Sequence, residues 1–189
     1  MPYYEAFGLR HERDRILLRL FPLPSFPFER AVRRVLVRAA TEDDRLALLT
    51  LATECVPHML TEREGADSDT VVSGFFDEYS RLDLSPTAPV RLWVGEDADG
   101  LMAGALLIDT KMDEALNGRR QAFIYDLSVT PRQWGRAVGA ALVAQAAKIL
   151  SQQGIGYLLG DISVGNTRVK TLADRFGFVT ETRRFALSL

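Results

Sequence analysis

One stretch of the sequence, residues 124–143, restricts the possible folds more than any other. It reads IYDLSVTPRQWGRAVGAALV, which is a β-type run, a proline turn, two glycines among small residues and an apolar helical segment. A strand that enters a helix through a glycine loop directs main-chain N–H groups and the positive end of the helix dipole towards one point. The stretch therefore predicts a phosphate-binding loop. A turn that only packs a helix on a sheet is the alternative.

The remaining pattern predicts a mixed α/β sheet. Residues 12–21 are compatible with a helix or an edge strand, and three prolines in residues 21–28 indicate a connector. From there the periodicity predicts a short strand, two helices, a hairpin with its Asp-Gly turn at residues 98–100, and then strand, helix, strand, helix and one or two closing strands. Strand–helix–strand units in the second half place helices against the faces of the sheet.

Composition excludes several classes of protein. The chain has 189 residues, 47% of them hydrophobic and 25% charged, which is typical of a soluble globular protein. Its one cysteine, Cys55, excludes an internal disulfide and is expected to be buried and inert, and two distant histidines argue against a metal site. The absence of a long apolar run and of a signal-peptide pattern at the N-terminus predicts a cytoplasmic protein with no membrane partner.

Charge is distributed unevenly along the chain. By side-chain count, residues 1–40 carry +4, residues 41–120 carry −10 and residues 121–189 carry +4. This suggests an anionic cofactor at the basic end and a cationic acceptor between the two early helices and the loop 111–120, although solvated helix surfaces would explain it equally well. The acidic residues expected around the acceptor are Glu62, Glu64, Asp67, Asp69, Asp77, Glu78, Asp113 and Glu114. Dispersed basic residues and a net charge of −2 argue against nucleic-acid binding.

The glycine loop does not have the spacing of the common nucleotide-binding motifs. A dinucleotide fold needs Gly-x-Gly-x-x-Gly near the start of a βαβ unit, and a P-loop ends in Gly-Lys-Ser/Thr. Neither pattern occurs here. Gly135 is expected to adopt a positive φ, and Arg132 and Arg136 to supply cationic donors to phosphate oxygens.

Two segments resemble the GNAT N-acetyltransferases. LSVTPRQWGRAVGAALV resembles their motif A, NTRVKTLADRFGF resembles a segment that follows it, and IYDLSV is similar to the corresponding strand of aminoglycoside 3-N-acetyltransferases. The resemblance covers residues 33–189 and leaves residues 1–32 as an N-terminal extension of unknown role. It implies an α/β fold with a GNAT-like mixed central sheet, flanked by helices, in which a bulged fourth strand splays from the fifth.

The resemblance also implies acetyl-coenzyme A as cosubstrate, without a metal. The loop from Gly135 to Ala140 would hold the pyrophosphate, the main chain of Leu127 and Val129 would pair with the pantetheine amides, and the N–H near Val129 would polarise the thioester carbonyl. Asn166 would line the coenzyme, or only cap its helix. The implied cofactor-binding residues are Leu127, Ser128, Val129, Trp134, Gly135, Arg136, Ala137, Val138, Gly139, Ala140 and Asn166.

Three positions depart from the family pattern. Trp134 replaces the Arg or Gln that opens the loop, and Ala137 replaces its first glycine, which predicts ordinary backbone angles there. Ala173 stands where the family has a tyrosine that often protonates the leaving thiolate.

A carboxylate is expected to accept the proton of the acceptor amine. Most aliphatic amines are protonated at neutral pH, and Asp126 lies on the strand that would hold the thioester. Other members of the family have a glutamate base at the position of Gln121, and a glutamine side chain cannot act as a base. Asp126 is therefore the expected catalytic residue, with Ser128 on the same face and Tyr125 on the other. In the alternative, Asp126 only accepts hydrogen bonds from loop N–H groups. His58, near the rim of the acceptor pocket, is either a base or a surface residue without a catalytic role.

These observations predict an acetyl-coenzyme-A-dependent N-acetyltransferase for a primary amine of a small molecule or a protein. The alternative is a regulatory module of the same fold that binds an acyl-coenzyme A with little or no turnover. The sequence leaves both a monomer and a homodimer open.

Overall fold

The computed structural model describes residues 9–26, 32, 34–59, 67–114 and 117–187. In this part of the chain, seven strands and four α-helices follow in the order β1, β2, α1, α2, β3, β4, β5, α3, β6, α4, β7. The strands are β1 Leu9–Arg19, β2 Leu36–Ala39, β3 Val90–Glu96, β4 Met102–Asp109, β5 Gln121–Val129, β6 Tyr157–Ser163 and β7 Val179–Leu187. The helices are α1 Arg45–Met59, α2 Ser68–Arg81, α3 Val138–Gln152 and α4 Thr167–Arg175. Apart from β1, the elements come in the predicted order.

The strands form one mixed sheet in the spatial order β2-β3-β4-β5-β6-β1-β7. Only β5 and β6 run parallel, and they are joined by the crossover helix α3, whereas the other neighbouring pairs are antiparallel. The turn between β3 and β4 has the predicted hairpin geometry, with Gly100 at φ +76° and its N–H bonded to the Asp97 carbonyl. The predicted mixed α/β sheet is confirmed.

Strand β1 lies inside the sheet. It pairs with β6 on one side and with β7 on the other, and Ile16, Leu17 and Leu18 are buried. Of the two expectations for residues 12–21, the helix is wrong and the strand is correct, but the strand is internal and not at an edge. A short apolar run such as Ile-Leu-Leu fits a strand covered on both faces as well as a helix, so periodicity alone does not separate the two.

Two helix layers cover the two faces of the sheet. Helices α3 and α4 pack on one face through a cluster that includes Leu142, Leu150 and Ala173. Helices α1 and α2 cover part of the opposite face through a second cluster that includes Leu48, Cys55 and Tyr79. Strand β5 therefore presents its alternate side chains to two different environments, one beneath each layer.

Arg38 joins three elements near the edge strand β2. Its guanidinium donates two hydrogen bonds to the Asp44 carboxylate, at 2.7 and 2.8 Å, and one to Glu96 on β3, at 2.7 Å. Asp44 also accepts the N–H of Thr41, at 2.7 Å, immediately before α1. These bonds lower the pKa of Asp44 from 3.8 to about 2, with the Arg38 bond as the largest cause.

A pH-dependent contribution to stability follows from this low pKa. Because the folded-state pKa lies below the unfolded one, ionised Asp44 stabilises the fold above about pH 4, and this contribution is lost as the pH falls towards 2. We expect Asp44→Asn to lower the free energy of unfolding at neutral pH and to flatten its fall across this interval. Urea denaturation at several pH values measures both effects.

Asp43→Asn is the matched control, because the exposed neighbour carries the same charge without the Arg38 contact. An Asp44→Asn variant that loses stability on acidification as steeply as the wild type would contradict the assignment.

Candidate functional site

The site is organised by a bulge in strand β5. Opposite β4, Leu107 pairs with Asp126 and Ile108 with Ile124, so Tyr125 is an extra residue without a partner position on β4. Pairing with β6 runs only from Gln121 to Ile124, and the two strands separate beyond that point. Counted from β2, these are the fourth and fifth strands, so the predicted bulge and splay are both confirmed.

The bulged strand directs main-chain groups into the gap. The Thr130 N–H donates to the Ala103 carbonyl on β4, at 3.0 Å. Because donors alternate along an antiparallel strand, the N–H groups of Val129 and Leu127 point away from β4, towards β6. The Val129 carbonyl accepts the Trp134 indole N–H at 2.8 Å and the Cys55 thiol at 3.5 Å. Beyond Ile124, β5 has a main-chain edge that no longer pairs with β6. Side chains therefore satisfy part of the hydrogen-bonding groups on this edge.

The glycine loop enters α3 through two left-handed residues. Gly135 has the expected positive φ of +78°. Ala137, the N-cap residue of α3, has φ +64° and ψ +13°, so the expectation of ordinary backbone angles is wrong. Left-handed angles are unfavourable for alanine. They persist because the loop must reverse direction between the bulged strand and the helix.

Not every loop amide is free to bind a ligand. The Arg136 N–H donates to the Gln133 carbonyl at 3.2 Å, so this amide is not among the bare groups expected from Gly135 to Ala140. The first α-helical bond runs from the Ala141 N–H to the Ala137 carbonyl at 2.9 Å. The N–H groups of Val138, Gly139 and Ala140 therefore precede any helical acceptor and point out of the helix N-terminus.

A cavity of about 560 Å³, here called the loop cavity, lies between β5, this helix N-terminus and α4. All of the predicted cofactor-binding residues line it except Arg136, which is exposed. A Cβ at Gly139 would make only ordinary contacts, at 3.6 Å from side-chain atoms of Leu172 and Val129. A larger side chain at position 139 would extend into the space between β5 and α4.

Trp134 lines the loop cavity and contacts two further side chains of its lining. The guanidinium carbon of Arg168 lies 3.3 Å from the centre of the indole ring, and His58 packs edge-on against the ring at 5.0 Å. Arg168 is a cavity residue that the sequence analysis missed. Its only sequence signal is a basic residue in the first turn of α4, which does not reveal its contact with Trp134.

Asn166 contributes both to the start of α4 and to the loop cavity. Its side-chain oxygen accepts the Val169 N–H at 3.2 Å and so caps α4, and the same residue lines the loop cavity. The cap uses only the side-chain oxygen, so the amide N–H₂ is not part of it.

A second cavity of about 500 Å³, here called the strand cavity, lies beside the bulge. Asp126 and the half-exposed Tyr125 line it. Leu127, Asn166, Val169 and Leu172 line both cavities, so the two meet at the gap between β5 and β6.

Asp126 lies at the centre of a buried polar cluster. Its carboxylate accepts hydrogen bonds from the Tyr79 hydroxyl on α2, at 2.9 Å, and from the Ser128 hydroxyl, at 2.8 Å. Burial raises the pKa of Asp126, and the bonds from Ser128, Tyr79 and the Leu127 N–H offset part of this effect. The partners of Asp126 are thus two hydroxyls and the Leu127 N–H of β5, which lies outside the glycine loop.

Tyr79 is the second residue that the sequence analysis missed. It ends the apolar stripe of α2 that begins at Val71 and Phe75, and that stripe predicts only packing. Burial raises the pKa of the Tyr79 hydroxyl, and the charge on Asp126 raises it further, so the phenol keeps its proton and remains a donor.

Cys55 is buried as expected. Burial raises the pKa of its thiol to about 11, which leaves a neutral and weakly nucleophilic group at neutral pH. Ala173, at the position of the family's tyrosine, is also buried and lines the strand cavity without a proton to donate.

The acidic residues expected around an acceptor are not grouped at the gap. Glu62 and Glu64 lie outside the described residues, and none of the six others lines the loop cavity or the strand cavity. Asp77 and Glu78 instead line a separate cleft beneath α2. The field of the acidic middle segment is therefore spread over helix and loop surfaces in the part of the chain that is described.

The described residues contain neither a metal-binding cluster nor a membrane-spanning helix. No group of three or more histidine, cysteine, aspartate or glutamate side chains there has a geometry that could hold a metal ion. Among the described helices, none has the length and apolar character needed to cross a bilayer.

The sequence matches one protein-family model. Residues 51–178 match the model described as the acetyltransferase (GNAT) family. No match was found among the curated proteins.

Several solved structures share the fold. One is the GCN5-related glucosamine N-acetyltransferase region of a fungal multi-domain β-N-acetylglucosaminidase, with 16% identity, a TM-score of 0.66, and 97% of this chain and 22% of that chain covered. A GCN5-related N-acetyltransferase from Sphaerobacter thermophilus matches with 17% identity, a TM-score of 0.60, and coverage of 96% and 52%. The YycN protein of Bacillus subtilis matches with 16% identity, a TM-score of 0.64, and coverage of 82% and 98%. The chain thus spans a fifth of the first and about half of the second, and at these identities the likeness shows the fold.

The left-handed alanine generates a prediction about stability. Left-handed angles destabilise a folded alanine by about 1–2 kcal/mol. Glycine adopts these angles without strain, but its greater freedom in the unfolded chain lowers the free energy of unfolding by about 0.4–1 kcal/mol. We expect Ala137→Gly to raise the free energy of unfolding by up to about 1.6 kcal/mol in urea denaturation.

Ala144→Gly, in the interior of α3, is the matched control and should lower the same quantity by about 1 kcal/mol. Equal losses of stability in both variants would show that residue 137 is not left-handed in solution.

Proposed function

Because the chain belongs to the acetyltransferase (GNAT) family, in which acyl transfer is the shared chemistry, we propose that it is an acetyl-coenzyme-A-dependent N-acetyltransferase of a primary amine. The observation that carries this proposal is the gap between β5 and β6, where the loop cavity and the strand cavity meet beside the buried carboxylate of Asp126. The loop cavity can hold acetyl-coenzyme A and the strand cavity can hold the acceptor amine. The thioester and the amine would then meet at the gap.

The residues of the loop cavity fit the coenzyme. The N–H groups of Val138, Gly139 and Ala140 at the start of α3 suit the pyrophosphate, because a helix N-terminus favours negative charge. The Leu127 carbonyl and the Val129 N–H at the splayed edge suit the polar groups of pantetheine, since the Leu127 N–H already bonds the Asp126 carboxylate and the Val129 carbonyl already accepts the Trp134 indole. Arg168, held over Trp134, adds a positive charge to the same cavity.

Acetyl-coenzyme A, when bound, supplies the acetyl group as a thioester. The residues of this chain orient it and handle the proton. The Val129 N–H, directed into the gap, is placed to donate a hydrogen bond to a carbonyl oxygen there. Ala173 offers no acid, so we assign no protonating residue to its position.

Asp126 is proposed to receive the proton that the acceptor amine must lose. Burial moves the pKa of Asp126 upwards, in the direction of neutral pH, and a general base works best when its pKa lies near the pH of the reaction. Tyr79 and Ser128 hold the carboxylate by hydroxyl donation, so they fix its orientation and moderate its pKa. Tyr79 is therefore a positioning residue that acts through Asp126.

Coenzyme binding is tested by substitution at Gly139. Acetyl-coenzyme A should raise the Tm of the wild type by mass action, by an amount equivalent to about 2.7 kcal/mol at one hundred times its Kd. Gly139→Leu should abolish this shift because the side chain fills the space between Val129 and Leu172. Differential scanning fluorimetry with and without the coenzyme measures it.

Gly139→Ala is the matched control, since its Cβ makes only ordinary contacts at 3.6 Å and should leave the shift in place. A wild-type protein with neither a Tm shift nor a calorimetric heat at millimolar coenzyme would refute the proposal.

The role of Asp126 is tested by the pH dependence of kcat/KM. We expect an acid limb at a pH above that of an ordinary aspartate, and Asp126→Asn should remove this limb and reduce kcat by about 10²–10⁴-fold. Tyr79→Phe removes a hydrogen bond that lowers the pKa of Asp126, so the limb should move to higher pH while activity above it is retained.

Tyr157→Phe provides the control, because this tyrosine lies on β6 against Arg119 and not against Asp126. Ionisation of the acceptor amine also changes kcat/KM with pH, but it does so equally in the wild type and in every variant. An acid limb that stays in place in Tyr79→Phe would remove Tyr79 from the mechanism, and unchanged turnover in Asp126→Asn would remove Asp126.

A further inference from the structure

The strand cavity carries few charges. Among the described residues that line it, the charged side chains are Arg13, Asp126 and Asp161. Asp161 is already bound by the Arg15 guanidinium through two hydrogen bonds, at 2.8 and 3.1 Å. Asp126 is thus the one carboxylate of the lining that is held by hydroxyls and not by a cation.

The rest of the lining is largely apolar. It combines aromatic and branched side chains from both helix layers and from the central strands, among them Val71, Phe75, Ile124, Phe176 and Phe178. Phe75 stacks on Tyr79 with ring centroids 5.7 Å apart, so the aromatic wall continues directly into the cluster around Asp126. Walls of this kind stabilise an apolar ligand body.

These observations restrict the acceptor. From this cavity, and resting on the proposed acetyltransferase function, we propose that the acceptor is a small primary amine with a single positive charge on an apolar, aromatic-sized body. Its amine is placed at Asp126, and its body lies against the wall formed by Val71 and Phe75 of α2. The volume of about 500 Å³ is that of a small-molecule site.

A polycationic acceptor fits this lining poorly. A second ammonium group would enter a cavity in which the other described carboxylate, that of Asp161, is already neutralised by Arg15. A buried cation without a counter-ion loses its hydration without recovering it. This differs from the cationic acceptor expected from the charge of residues 41–120.

The amine nitrogen forms a bond to the acetyl carbon as the C–S bond breaks, and the ammonium releases two protons in the course of the reaction. One of them ends on the thiol of the product, and the other passes through Asp126 to solvent.

An acceptor panel tests the proposal by thiol release from acetyl-coenzyme A. 2-Phenylethylamine, spermidine, kanamycin and a lysine-containing peptide share primary amines but differ in charge and body. We expect kcat/KM for 2-phenylethylamine to exceed that for each of the others by about tenfold or more, since an apolar pocket distinguishes ligands on this scale. A preference for spermidine, kanamycin or the peptide would overturn the proposal.

A charge introduced into the cavity wall gives a second readout. Val71→Asp should lower kcat/KM for 2-phenylethylamine and raise it for a diamine such as 1,6-diaminohexane, because it supplies a counter-ion for a second ammonium group. Ser73→Asp adds the same charge to the exposed side of the same helix and should change neither value. Parallel losses for both amines in Val71→Asp, with an unchanged Tm shift by the coenzyme, would overturn the assignment of the wall.

Failure of this inference differs from failure of the proposed function. Thiol release with a polyamine alone refutes the acceptor class and leaves the acetyltransferase. The absence of both a coenzyme-dependent Tm shift and thiol release with any amine refutes the proposed function. A preference for octanoyl- over acetyl-coenzyme A that Val71→Asp abolishes would assign the cavity to an acyl chain and overturn the inference.

Discussion

The loss of hydrogen bonding between β5 and β6 beyond Ile124 is the constraint on which the site depends. Two parallel strands that start in register leave a row of unpaired main-chain groups wherever they part, and such groups are costly unless they are satisfied. Here the extra residue Tyr125 turns β5 away from β6, and the indole of Trp134 satisfies the Val129 carbonyl. The gap, both cavities and the direction of the Val129 N–H all follow from this separation.

The same separation explains why a carboxylate can be buried near the middle of the sheet. Ile124 packs with the layer of α3 and α4, whereas Asp126 reaches Tyr79 beneath the other layer, although the two residues are only two positions apart. Without the bulge, alternation would place both on one face. Burying Asp126 destabilises its charged form, and the hydroxyls of Tyr79 and Ser128 recover part of that cost, so the group is held in place and its pKa is raised.

Much of the fold follows from local pattern, and the exceptions have identifiable causes. The glycine positions, the hairpin turn and the Asn166 cap were predictable, because each depends on the chemistry of a few adjacent residues. Strand β1 was not, since its apolar run has no distinctive period and its partners, β6 and β7, lie more than 130 residues away. The angles of Ala137 contradict its local preference because the geometry of strand and helix on either side determines the loop conformation.

The sequence by itself determined that a bare, positively polarised helix N-terminus follows a strand, and it placed one carboxylate, Asp126, on that strand. These properties are local, because a glycine's freedom and a strand's alternation need no distant partner. Only the tertiary structure decided that Tyr79 holds this carboxylate and that Arg168 lies over Trp134. It also decided that none of the six described acidic residues expected around an acceptor lines the strand cavity. Each of these depends on contacts between elements far apart in the chain, and the packing of two helix layers on one sheet sets those contacts.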